Sequence, residues 1–238
     1  MKTLSHIPEI DGLRALAVLG VFLFHVDYLS GGFLGVDVFF VISGYLITKI
    51  LNKEKNLNFE IFKDFFIKRF KRLYPALVFV SIIILIISII IIDPINLDRI
   101  GKSGLFSIIF LSNNFFWGES SYFDTSSNLK PFLHTWSLGI EFTFYLIFPL
   151  VFFSILKNNF KTFFFCIIIL SSLLILYILS KKPLFETNIL SGFFYGKYID
   201  DTLFFLFPFR FFEFLFGSYV AFHEKKKKNT IIFPNAFL

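Results

Sequence analysis

An arginine and a histidine stand inside the first apolar segment of this 238-residue chain, Arg14 and His25 in IDGLRALAVLGVFLFHV. An ionisable side chain within a hydrophobic span is costly in lipid, and by default it faces a protein interior and marks a functional path. Eleven residues at about 100° each run some 20° past three full turns, so the two side chains share one helix face roughly 16 Å apart. Two readings stand open. The pair is a snorkelling arginine with a hydrogen-bonded structural histidine, or it marks a site reaching through a bilayer. In the second case histidine, which titrates near neutrality, is the usual general base for a hydroxyl. Asp11 and Asp27 flank the pair at the helix ends.

The rest of the chain matches that setting. It is 56% hydrophobic with 40 phenylalanines, and its mean hydropathy is +0.74, far from the balance of a soluble domain. The first segment follows acidic residues and lacks a small-residue cleavage site, so it reads as a retained helix rather than a signal peptide. Further spans read at about 33–50, 73–93, 134–156, 162–180 and 202–222, each near the length needed to cross a bilayer. The expected fold class is all-α: a polytopic transmembrane helical bundle of about six to seven membrane segments, placed as a multi-pass protein of the cell membrane. The single cysteine, Cys166, excludes an internal disulfide framework.

Lysine and arginine placement sets the orientation. The Lys49 to Arg72 segment and the run Lys225 to Lys228 read as cytoplasmic, and so does the N-terminus. Counting from both ends agrees only if the short apolar stretch 104–117 dips into the membrane as a re-entrant piece instead of crossing it. Lys181 and Lys182 then fall on the outer side, against the trend. Residues 1–222 form the membrane domain under this reading, and 223–238 form a basic cytoplasmic tail. The net charge of +6 gathers at the ends of spans, where it meets anionic headgroups; it does not point to nucleic acid.

Three further groups carry possible chemistry. In GGFLGVDVFFVISGYLIT, residues 31–48, Gly31, Gly32 and Gly35 permit a tight return, and Asp37 enters an apolar span where it needs a partner such as His25 or an arginine. Paired with His25 it would fix that ring's tautomer. Ser43 and Gly44 read as close helix packing. In FFIKRFKRLYPAL, Arg69 and Arg72 lie three apart on one face at the cytoplasmic edge. They match phosphate oxygens through bidentate forks, or they are a topology flank; Pro75 is placed to start the next helix. In LKPFLHTWSLGIEFTFYLIFP, residues 129–149, Glu141 follows His134 by seven residues on the same face. Its expected partner is Arg210 in FPFRFFEFLFG, with Glu213 three residues further on. Trp136 and Tyr145 read as interfacial aromatics.

The order of these segments resembles the acyltransferase 3 family of polytopic membrane O-acyltransferases, over nearly all of the chain to about residue 222. The resemblance implies an acyltransferase moving an acyl group, usually acetyl, from cytoplasmic acyl-CoA to hydroxyls of an extracytoplasmic glycan or lipid-linked sugar. It places the family's arginine and histidine on Arg14 and His25, and its cytoplasmic arginine pair on Arg69 and Arg72. Its WSL and glutamate motif falls on Trp136, Ser137, Leu138 and Glu141, and its late arginine and glutamate on Arg210 and Glu213. The implied roles are catalysis for His25, Arg14 and Asp37, acyl-CoA binding for Arg69 and Arg72, and substrate binding for His134, Trp136, Glu141, Arg210 and Glu213. No tightly bound cofactor and no metal are expected, and acyl-CoA is a donor substrate. Phe142 and Thr143 stand where the family usually has a second glutamate and a glutamine. The family core usually has about ten spans, so the chain reads as a C-terminally truncated member. A transporter or flippase of lipid-linked sugars, or an inactive remnant, are the alternative classes; the former would show inverted repeats, which are not evident.

Overall fold

A computed structural model describes residues 7–54, 58–119, 130–153, 169–170, 172–173 and 199–224. Every regular element among them is helical: α1 (Pro8–His25), α2 (Leu34–Leu51), α3 (Phe59–Ile91), α4 (Pro94–Ile108), α5 (Ser112–Glu119), a 3₁₀ turn (Leu133–Thr135), α6 (Trp136–Val151), α7 (Ile199–Phe205) and α8 (Phe207–His223). Most of the span expected at 162–180, including Cys166, lies outside the described residues. So do Lys181, Lys182 and the basic run 225–228. Among the described residues two helices, α2 and α3, are long and apolar enough to cross a membrane.

Local chemistry explains the helix ends. Pro8 enters α1 in the first turn, where its missing N–H costs nothing. Asn58 caps α3 by accepting a 2.8 Å hydrogen bond from the Ile61 amide. That helix then runs 33 residues without a break through Pro75, which corrects the expectation that Pro75 starts a helix. The basic residues before it are helical too, because the Asn58 cap nucleates the helix sixteen residues upstream and Pro75 removes just one ladder bond, on an exposed face. The stretch 104–117 comprises the end of α4 and most of α5: α4 stops before Phe110, whose φ of 58° lies in the left-handed region, and α5 starts at Ser112.

Among the described residues the most extensive helix pair is the crossing of α2 and α8. It is close because of two glycines. A Cβ on Gly44 would overlap the Phe214 backbone, and one on Gly217 would overlap the backbone of Val41. Phenylalanine fills the space around this contact: Phe214 stacks on Phe40 at 4.6 Å and on Phe144 at 4.2 Å between ring centroids, and all three are buried. Helix α1 packs on α2, with Gly35 against the Ala17 backbone. The C-terminal half of α3 leaves Phe79, Ile82, Ile86, Ile90 and Ile91 exposed, an apolar stripe of the kind that marks a membrane or protein contact.

Candidate active site

Where α1 ends, α2 begins and α6 begins, the helix termini enclose a cavity of about 420 Å³. Its wall is mainly apolar, with Val18, Phe22 and Phe39 among the lining residues, and its polar groups are His25, Asp37, His134, Ser137, Glu141 and Arg210. His25 is the last residue of α1, Asp37 is in the first turn of α2, and His134 sits in the 3₁₀ turn before α6. These come from four segments spread across the chain, and the fold brings them into one chamber.

Arg210 is the cation of this chamber. Its Nη1 lies 3.3 Å from Asp37 Oδ1 and 2.7 Å from Glu213 Oε1, and its Nε donates to the Phe204 carbonyl at 3.2 Å. The guanidinium also sits over the rings of Trp136 and Phe204, at 5.6 and 5.0 Å. Trp136 is therefore buried beside Arg210 and is not an interfacial aromatic. The Asp37 charge goes to Arg210, so the arginine alternative holds and no hydrogen bond joins Asp37 to His25. Glu213 is buried behind Arg210 and does not line the cavity.

The expected pairing of Glu141 with Arg210 does not form. Arg210 is already held between two carboxylates, and Glu141 takes neutral donors: Ser43 Oγ donates to its Oε1 at 2.5 Å, and the Tyr145 hydroxyl donates to the same oxygen. Across the chamber the rings of His25 and His134 meet edge to face, with centroids 4.5 Å apart.

Arg14, Arg69 and Arg72 lie outside the cavity lining. Arg14 Nη1 pairs with Asp11 at 3.0 Å, one turn away. Arg69 lies over the rings of Phe65 and Tyr145, at 5.5 and 5.6 Å, within electrostatic range of Arg72, Glu141 and Arg14. Neither Arg69 nor Arg72 makes an ion pair with a described residue. Tyr145 thus donates to Glu141, which lines the cavity, and carries Arg69 over its ring. Among the described residues no group of three or more His, Cys, Asp or Glu is placed to hold a metal ion.

Sequence reading missed two members of the site. Tyr145 had a signal, since it follows Glu141 by four residues on one helix face. Ser43 had none, because its partner lies 98 residues away.

The acyltransferase 3 family model, described as an acyltransferase domain, matches residues 7–236, and the chain belongs to that family. Among curated proteins it is similar to peptidoglycan O-acetyltransferase OatA of Listeria monocytogenes, 44% identical over 162 residues, covering 65% of this chain and 26% of that protein. It is also similar to the putative O-acetyltransferase SACOL0978 of Staphylococcus aureus strain COL, 39% identical over 166 residues, covering 67% and 27%. O-acetyltransferase OatA of S. aureus strain NCTC 8325 is 39% identical over 164 residues, covering 68% and 27%. The chain therefore matches about a quarter of the length of these relatives. No solved structure matches it.

Proposed function

We propose that the protein is a multi-pass membrane O-acyltransferase that moves an acetyl group from cytoplasmic acyl-CoA to hydroxyls of an extracytoplasmic glycan. The observation that carries this reading is the shared chamber of His25, His134, Glu141 and Arg210, with Arg69 over the ring of Tyr145 beside it and in no ion pair with a described carboxylate. The names of the relatives, peptidoglycan O-acetyltransferase and O-acetyltransferase, favour a peptidoglycan hydroxyl as acceptor.

Each group has a step. Arg69 and Arg72 hold the phosphates of acyl-CoA by bidentate contacts, and the thioester arm enters the apolar chamber. His25 takes the proton of the acceptor hydroxyl as its oxygen bonds to the thioester carbonyl carbon. The oxyanion that develops is steadied by positive charge in the chamber, of which Arg210 is the fixed source. Collapse breaks the carbon–sulfur bond, and the imidazolium returns its proton to the leaving CoA thiolate. Arg14, within the field of Arg69, adds charge at the donor entrance.

The test is transfer of labelled acetyl from acetyl-CoA to peptidoglycan fragments by the full chain in lipid nanodiscs. Alkali-labile label on the glycan, lost in His25→Ala, is the expected result. Absence of transfer by the wild type overturns the reading.

A further inference from the structure

Ser43 lies in the middle of α2, and the steps above do not use it. Its hydroxyl reaches across to α6 and donates to Glu141 Oε1 at 2.5 Å, the same oxygen that accepts the Tyr145 hydroxyl. A carboxylate has two oxygens and about four acceptor positions. Here both protein donors converge on one oxygen, and Oε2 accepts no hydrogen bond from a described residue. Glu141 lines the cavity that also holds His25 and His134.

The contrast with Asp37 is informative. Asp37 is matched by the Arg210 guanidinium, so its charge is already used. Glu141 has neutral donors, with Arg69 acting on it only at longer range. A part-buried carboxylate held this way keeps acceptor capacity for a ligand that brings donors. The two substrates differ in this respect: the thioester end of an acyl-CoA offers a carbonyl acceptor, whereas a sugar offers several hydroxyl donors.

Resting on the acyl-transfer reading, we propose that Ser43 and Tyr145 are positioning residues that pin Glu141 Oε1 so that Oε2 receives a hydroxyl of the acceptor sugar. Two donors from different helices fix the carboxylate rotamer, and the sugar hydroxyl beside the reacting one is then held within reach of His25.

The experiment compares Ser43→Ala, Ser43→Thr and Tyr145→Phe in the full chain, alongside a melting cycle of Ser43→Ala, Glu141→Ala and their double variant. Loss of a hydrogen bond to a charged group is expected to lower kcat/KM for the glycan roughly 10- to 100-fold in Ser43→Ala. The KM for acetyl-CoA stays at the wild-type value, and Ser43→Thr recovers most of the loss because it keeps the hydroxyl. In the melting cycle, Ser43→Ala shifts the midpoint in the wild-type background but not beside Glu141→Ala. Wild-type kinetics in Ser43→Ala, an equal rise in the acetyl-CoA KM, or additive melting shifts would each overturn the proposal. A wild type that transfers no acetyl overturns the acyl-transfer reading instead, and additivity in the melting cycle then decides the pinning of Glu141.

Discussion

The imidazoles of His25 and His134 face each other at 4.5 Å between centroids, with their planes at 71°, although one ends α1 and the other precedes α6. His25 is exposed at its helix end, so truncating its side chain opens no buried cavity. His25→Ala is expected to lower acetyl transfer by about 10² to 10⁴ while leaving the melting temperature in detergent unchanged. Transfer rates near wild type in that variant would remove His25 as the base.

Arg69 and Arg72 make no ion pair with a described carboxylate, and Arg69 lies over the rings of Phe65 and Tyr145. Replacing both with Ala is expected to raise the KM for acetyl-CoA and to spare glycan binding. Lysine at both positions recovers only part of the affinity, since an ammonium lacks the planar fork that fits a phosphate. Equal acetyl-CoA affinity in wild type and double variant reduces the pair to a topology signal.

Much of this site was legible because ionisable residues in apolar spans have few reasons to be there. Five of the ionisable residues singled out on that ground, His25, Asp37, His134, Glu141 and Arg210, line one cavity. What stayed hidden was which charge meets which. The α2–α8 crossing joins Asp37 to Arg210 across 173 residues, and periodicity within a helix carries no information about its neighbours. Hence the sequence pattern points Glu141 to Arg210, whereas a serine and a tyrosine hold it. Pro75 misled for a local reason: proline at a basic boundary reads as a helix start, but a cap at Asn58 had already begun the helix.

The glycines at the α2–α8 crossing and Gly101 in α4 yield predictions of opposite sign. Gly44→Ala and Gly217→Ala push a methyl group into facing backbone, which cannot yield as a side chain tip can. Each is expected to cost about 1–3 kcal/mol. Gly101, inside α4, has nothing within 4 Å of an added Cβ, so Gly101→Ala should stabilise by about 0.5–1 kcal/mol through helix propensity. Thermal unfolding in detergent, followed by helical circular dichroism, reads both; a milder effect at Gly44 than at Gly101 contradicts the crossing.

At the C-terminal end of α2, Glu224 Oε2 lies 2.7 Å from Lys49 Nζ and accepts the Tyr45 hydroxyl at 2.8 Å. The hydrogen bond from the Lys49 ammonium holds the Glu224 carboxyl below the ordinary glutamate value. A folded-state value below the unfolded one means that this contact stabilises above the unfolded pKa, about 4.3. The contribution fades as pH falls from there through the folded value. Because Glu224 is half exposed, the effect is about 0.2–1 kcal/mol. Glu224→Gln should melt lower at neutral pH and equal wild type at strongly acid pH; a constant difference across the range excludes the linkage.

Arg210 stands against two carboxylates, with side-chain exposures of 17% for Arg210, 29% for Asp37 and 5% for Glu213. Removing the arginine strands both acids, and breaking a buried pair in this way typically costs about 3–5 kcal/mol. Removing the acid on the cavity side does something different. Asp37→Asn leaves one carboxylate for one guanidinium, keeps a side chain of the same shape, and retains an acceptor oxygen for Nη1. Arg210→Met is therefore expected to lower the melting temperature steeply, whereas Asp37→Asn stays within about 1 kcal/mol of wild type. Acetyl transfer separates the two roles further, because Asp37→Asn alters the charge beside the reacting groups without loosening the α2–α8 crossing. If both variants lose equal stability, Asp37 and not Glu213 is the main counter-ion of Arg210, and the charge balance of the chamber has to be redrawn around that single pair.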